Sequence, residues 1–372
     1  MDKGGVYMTR ILVNALQFSP DGAGISKYSY KLAEVIMKNN PNVDVLCRKD
    51  MVDKFENKER LIPIDIKGSA DRIITEQVKL LKLYKNYDIV HFLDYATPAL
   101  YKGKKIATIH DMAMHTMKDK YTKGQVLTKT TLLKNTIKNA DKLICISEFT
   151  KNELLKYYPN VDESKIEVVY NGFEYNEMIL TQHTIDSTLN KFNITKDYLL
   201  FVGTLSPHKN IERIIEAFNK VRNEGYDYQL VICGKKGWLY EDIFKKVQEL
   251  ELEKEVIFTD YVTDEELEVL YKNTKLFVFP SLYEGFGFPP IEAMARKVPV
   301  LASREGAIPE VVGEAAIFCD AYDIKDIYNK IVNVISEKDL VDELIIKGND
   351  RVSQLSWENL RRKVYSIHKY ML

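Results

Sequence analysis

Glu284 and Glu292 are separated by seven residues in the run Glu-Gly-Phe-Gly-Phe-Pro-Pro-Ile-Glu, which follows the apolar stretch Leu-Phe-Val-Phe. Gly285 and Gly287 leave backbone N–H groups uncovered by side chains. Pro289 and Pro290 then open a helix whose N-terminus can face an anion. This arrangement can hold a phosphate. Glu292, inside the helix, can accept hydrogen bonds from vicinal hydroxyls, and Glu284, ahead of the turn, is expected to project into the same space. Carboxylates beside phosphate-binding amides suggest a nucleotide-sugar. A glycine-rich strand-to-helix turn also occurs as plain architecture, so the weight falls on what accompanies it.

A second turn, Gly203-Thr204-Leu205-Ser206-Pro207-His208-Lys209, leaves an apolar strand and places Lys209 just before a helix expected over 211–218. A lysine there can neutralise a diphosphate, and Gly203 permits close approach of the backbone; a solvated surface lysine is the alternative. Near the start, Phe18 to Ser26 contains Gly22 and Gly24 ahead of a helix over 25–38. This loop matches neither Gly-x-Gly-x-x-Gly nor a P-loop, but it lets backbone close on a ligand, or simply turns. Thr108-Ile109-His110-Asp111 ends another apolar strand and sets an imidazole beside a carboxylate at its carboxyl end. His208 is a weaker candidate, and His91, His115, His183 and His368 have no constellation around them. Between Lys118 and Lys142 seven lysines accompany two aspartates. That is a solvated helix face, or a peripheral contact with an anionic bilayer if the acceptor is lipid-linked.

The elements that must position these groups are legible as short apolar runs alternating with amphipathic stretches through 372 residues, a length that suggests two domains. Strands are expected at 11–17, 44–48, 88–93, 105–110, 142–147 and 166–170, then at 198–204, 229–234, 255–259, 276–280, 299–302 and 316–319. Each series reads as a parallel, doubly wound α/β sheet with its ligand at the strand carboxyl ends, and the two together as one cleft. The polar stretch 175–196 reads as the linker, giving domains at 1–174 and 197–353. Trp357, Leu360, Val364 and Ile367 fall on one face of a terminal helix within 354–372. A formal net charge of -1 gives no electrostatic case for nucleic acid. No run of about 18 apolar residues exists. Residues 1–8 read as a leader without a secretory core, and Cys47, Cys145, Cys233 and Cys319 as free thiols, so a cytoplasmic location is expected. No metal site is expected, since no Asp-x-Asp or zinc spacing occurs.

Assembled, these residues resemble the retaining nucleotide-sugar glycosyltransferases of the GT-B fold, in the large family-four group that includes bacterial mannosyl- and glucosyltransferases. The resemblance runs from the Gly22 loop through Ser147-Glu148-Phe149-Thr150 and Val169-Tyr170-Asn171-Gly172 to Pro299. Its most specific part is Glu284 to Glu292 combined with Gly203 to Lys209. It implies two Rossmann-like domains facing a cleft, with a C-terminal helix crossing back to the first. It further implies a hexosyl donor such as GDP-mannose or a UDP-sugar, a saccharide or lipid-linked acceptor, no cofactor and no metal. By that resemblance Lys209 holds the donor diphosphate, Glu292 the ribose and Glu284 the transferred sugar. The amides of Gly287 and Phe288 lie near the sugar or phosphate, and His110 contacts the donor sugar. Gly22, Gly24, Gly203, Thr204, Gly234, Val262, Gly285 and Phe286 complete the expected donor shell. Many members carry arginine where this chain has Thr204, and a subset carries it at the place of His208, which leaves a second phosphate cation unassigned. A GT-B epimerase, a phosphorylase and a non-catalytic sugar-binding subunit are the competing readings.

Overall fold

The computed structural model describes residues 9–20, 24–118 and 121–371; the expected leader 1–8, together with Gly22, Asp119 and Lys120, lies outside them. The chain divides into two compact units, Met1–Gly172 with Leu355–Leu372, and Phe173–Gln354.

The first unit holds β1 (Ile11–Asn14), β2 (Val43–Arg48), β3 (Leu61–Ile64), β4 (Ile89–Phe92), β5 (Lys104–Ile109), β6 (Lys142–Cys145) and β7 (Ile166–Val168). They form one parallel sheet in the order β3-β2-β1-β4-β5-β6-β7. The second holds β8 (Tyr198–Val202), β9 (Gln229–Cys233), β10 (Val256–Asp260), β11 (Leu276–Phe279), β12 (Val300–Ser303) and β13 (Ile317–Cys319), parallel in the order β10-β9-β8-β11-β12-β13. Strands covered by helices on both faces read as unbroken apolar runs, and every residue of β1, β4, β9, β11 and β12 is buried. Strand order reverses between β1 and β4 and between β8 and β11. There the outgoing turns diverge and leave a crevice at the carboxyl ends.

Several features depart from the sequence reading. β3 was not expected, because Pro63 interrupts its run; as an edge strand it needs no N–H from that residue. The ladders stop one to three residues short of several apolar runs, so Ala15 to Gln17 and His110 belong to carboxyl-end loops rather than strands. Within the supposed linker, Gln182–Lys191 is a helix whose N-cap Thr181 accepts from the Thr184 amide. It is short and mostly exposed, so its apolar periodicity is faint. Tyr175 Oη donates to Glu268 at 2.5 Å and Lys272 pairs with Glu177 at 3.0 Å, which ties residues 173–196 into the second unit.

The terminal helix Trp357–Tyr370 buries Leu360, Val364 and Ile367 in the core of the first unit, with Ile11, Val13, Leu32 and Ile36. A Cβ on Gly172 would come within 2.5 Å of the Trp357 ring, so only glycine lets the chain pass beneath that indole. His368 of this helix meets His91 of β4, ring nitrogen to ring nitrogen at 3.1 Å. Burial holds both imidazoles below their ordinary pKa, His368 at about 4. All four cysteines are free and buried, and burial pushes their thiols up, Cys145 to about 12. Among the described residues no helix is long and apolar enough to cross a membrane.

Candidate active site

In the second unit, the turns leaving β8 and β11 meet at the reversal point. Asn210, in the left-handed conformation at φ 62°, donates from Nδ2 to the carbonyls of Pro280 at 3.0 Å and Ala321 at 2.7 Å. The Leu282 amide donates to the His208 carbonyl at 2.7 Å. These bonds lock the lysine turn to the glutamate turn. Lys209 Nζ stands 2.5 Å from Glu284 Oε1 and 5.2 Å from the centroid of the Phe279 ring. Both side chains of the pair are largely buried, at 12% and 13% exposure. A compact cation is thus held at the carboxyl end of the sheet, over an aromatic face.

Gly287, at φ 97°, caps the helix Phe288–Ala295, whose first turn carries both prolines. Its amides point off the end of the helix, as an anion requires. Glu292, on that helix, does not reach Lys209; its carboxylate accepts from Tyr271 Oη at 3.0 Å. Arg296 then donates to the Glu292 carbonyl at 2.8 Å and pairs with buried Glu268 at 2.7 Å. Burial and the neighbouring Glu292 charge drive the Tyr271 phenol well above its ordinary pKa, so it stays a donor. One Glu292 oxygen is anchored while the carboxylate remains part-exposed. Phe286 and Phe288 rings sit 5.1 Å apart around the turn.

The glycines earn their positions through contact. A Cβ on Gly234, at φ +149°, would fall 2.0 Å from the Gly203 carbonyl oxygen, and the Gly203 amide donates to Cys233 at 2.9 Å. A Cβ on Gly306, at φ +65°, would fall 2.7 Å from the backbone N and O of Glu284. The loop after β12 therefore supports the glutamate turn, with the Ala307 amide donating to the Glu284 carbonyl at 2.9 Å. Thr204 is exposed and Val262 buried. His208 bonds Ser206 at 3.1 Å and stacks on Trp238 at 5.2 Å.

In the first unit, His110 is buried at the end of β5. Its Nε2 donates to the Leu93 carbonyl at 2.9 Å, and Tyr28 meets it edge-on at 4.8 Å. That bond places a proton on Nε2 and fixes the ring's orientation. Burial raises the neighbouring Asp111 carboxyl, which accepts from the Ala113 amide at 2.9 Å. Gly24 begins the helix Gly24–Asn39, with open space where a Cβ would stand, so nothing among the described residues of the unit demands glycine there. Lys142 leaves the lysine stripe: it lies in β6, paired with Glu167 at 2.8 Å. Among the described residues no group of three or more histidine, cysteine, aspartate or glutamate side chains could hold a metal ion.

Tyr271, Asn210, Arg296 and Gly306 were absent from the sequence reading. Only Gly306 left a signal, a glycine just past an apolar run; the others act through contacts across 21 to 111 positions.

The family model for Glycosyltransferase Family 4 matches residues 22–177, and that for Glycosyl transferases group 1 matches residues 185–351. O-antigen chain mannosyltransferase RfbU of Salmonella typhimurium is 27% identical over 368 residues, covering 95% of this chain and 98% of the relative. O-antigen chain mannosyltransferase B of Escherichia coli is 27% identical over 297 residues, covering 79% of this chain and 77% of the relative. Among solved structures, Anabaena Alr3699/HepE in complex with UDP and glucose superimposes with a TM-score of 0.78 at 15% identity, covering 98% of this chain and 100% of that one. WaaG, a glycosyltransferase involved in lipopolysaccharide biosynthesis, gives 0.72 at 16% identity, covering 96% and 99%.

Proposed function

We propose that this chain, which belongs to the family-4 glycosyltransferases of the GT-B fold, transfers a hexosyl unit from a nucleoside-diphosphate sugar to a saccharide or lipid-linked acceptor in surface polysaccharide synthesis. The transfer retains anomeric configuration and needs no metal ion. The observation that carries the reading is the meeting of Lys209 and Glu284 at the β8–β11 reversal, beside a helix N-terminus that begins at Phe288. Relatives named as mannosyltransferases favour mannose as the sugar.

Breaking the bond between the anomeric carbon and the diphosphate builds negative charge on the leaving oxygen and positive character on that carbon. Lys209 and the amides of Gly287 and Phe288 stabilise the oxygen, each such donor contributing about 10²- to 10³-fold. Lys209 exchanges its Glu284 partner for phosphate, which frees Glu284 to accept from hydroxyls of the sugar. Glu292, steadied by Tyr271, accepts from the ribose. Retention follows when the acceptor hydroxyl attacks the face the diphosphate leaves, and the departing phosphate takes its proton.

The test is transfer from GDP-α-mannose, with the product linkage read by NMR in excess chelator. An α-linked product at undiminished rate is expected. A β-linked product removes retention, and abolition by chelator removes metal independence. Exposed Lys123, Lys134 and Lys138 on the helix Lys123–Asn139 are the proposed peripheral contact with an acceptor-bearing anionic membrane. Failure to co-sediment with phosphatidylglycerol vesicles at low salt would remove it.

A further inference from the structure

β10 ends irregularly. Phe258 pairs with Ile232 and Asp260 with Cys233, so two residues of β10 oppose one step of β9. The bulge puts Asp260 in the left-handed region at φ 54°. Bulges beside binding sites re-aim a side chain, and residues held at positive φ gather where function over-determines them. The Asp260 carbonyl accepts from the Gly234 amide at 3.1 Å, which fastens the bulge to the glycine at the end of β9. Its side chain is exposed, and among the described residues the carboxylate makes no hydrogen bond or ion pair. The next residue, Tyr261, is 72% exposed, with Lys235 Nζ 4.8 Å from its ring centroid. An unpartnered carboxylate beside an exposed aromatic ring serves no packing purpose.

Its position along the sheet gives it one. Neighbouring strands run about 4.8 Å apart, so the end of β10 lies about 10 Å from that of β8, where the Lys209 turn begins. Glu292, on the helix after β11, reaches to the β10 side: its partner Tyr271 belongs to the helix Asp264–Lys272 that leaves β10. Diphosphate at Lys209 and ribose at Glu292 therefore direct the base toward Gly234, Asp260 and Tyr261.

We infer that Asp260 selects guanine, its carboxylate accepting from the N1–H and the exocyclic amino group of the base, with Tyr261 available for stacking. Guanine alone among the common bases presents two adjacent donors on that edge. Uracil presents one N–H between two carbonyls, and adenine presents an amino group beside an unprotonated nitrogen; each sets a lone pair against the carboxylate. A charge-assisted bidentate contact is the strong form of hydrogen bond. The inference rests on the donor-site reading above and extends it to the base.

Calorimetry of the full chain with GDP, UDP and ADP tests it. GDP is expected to bind about 10- to 100-fold more tightly than UDP or ADP, the span of one good bidentate base contact. Asp260→Asn tolerates the left-handed backbone. It is expected to weaken GDP about 10-fold or more at an unchanged melting temperature, leaving UDP within about 2-fold. Lys209→Ala should weaken GDP and UDP alike. Equal affinities in the wild type, or an intact GDP preference in Asp260→Asn, overturns the base assignment while Lys209-dependent binding keeps the donor site. Binding of none of the three overturns both.

Discussion

Removing the Lys209 ammonium should separate stability from activity in a way no other substitution does. The pair with Glu284 closes at 2.5 Å with both side chains about one-eighth exposed. Exposed pairs contribute about 0–1 kcal/mol, and stripping one partner from a fully buried pair costs about 3–5 kcal/mol; a pair at this depth falls between, at about 2–3 kcal/mol. The cost arises because Lys209→Met leaves the largely buried Glu284 carboxylate without its counter-charge. For a unit of this size each kcal/mol moves the transition by about 2–4 °C, so scanning calorimetry should record a fall of about 4–12 °C in the second unit. Lys209→Met/Glu284→Gln removes both charges and should recover most of that loss. Activity behaves otherwise: transfer should drop about 10²- to 10³-fold in Lys209→Met and stay there in the double variant, since the stabilising cation is still missing. Radiolabel transfer from the nucleotide-sugar donor reads this directly. Wild-type rates in Lys209→Met, or recovery of transfer in the double variant, would refute the reasoning.

Gly306→Ala should lower transfer about 10-fold or more without touching ligand, because the added Cβ meets the Glu284 backbone at 2.7 Å; unchanged kcat and KM would show that the loop yields. Tyr271→Phe, which frees Glu292, should raise the donor KM about 2- to 10-fold with kcat nearly kept, the effect of one hydrogen bond. The His91–His368 pair makes the first unit acid-sensitive. The folded pKa of His368 is depressed to about 4, so its stabilisation is complete above the unfolded value near 6.5 and is lost as pH falls toward 4. Between pH 7.5 and 5 the wild type should lose at least about 2 kcal/mol more than His91→Leu/His368→Leu, the share of His368 alone with His91 adding in the same direction, by urea denaturation at each pH. Glu76, whose carboxyl burial raises to about 7, acts in the opposite sense in both proteins and cancels from that comparison. Equal losses would mean the histidines titrate normally.

The sequence made the strand-end turns legible because their chemistry is local. Glycine at 285 and 287, proline at 289 and 290 and an apolar run ahead of them specify a strand, a tight turn and a helix start whatever surrounds them. The alternation of runs specified two parallel sheets for the same reason, and the spacing of Leu360, Val364 and Ile367 marked the buried face of the terminal helix. What a lone sequence did not disclose was partnership. Nothing local says that Lys209 will lie against Glu284, 75 positions on, or that Tyr271 will hold Glu292. The bulge that turns out Asp260 exists only in the pairing of β10 with β9. His91 and His368 meet across 277 positions, which no spacing rule reaches. β3 and the helix Gln182–Lys191 were missed for a different reason, since one has a proline in its run and the other buries too little apolar surface to print a period.

A crystal structure of the chain with an intact nucleoside-diphosphate sugar bears on the central claim most directly. The expected density has the diphosphate within hydrogen-bond reach of Lys209 Nζ and the amides at Gly287 and Phe288, with the ribose on Glu292 and Glu284 released to the sugar. A donor bound away from the carboxyl ends of β8 and β11, or no density at saturating concentration, would contradict it.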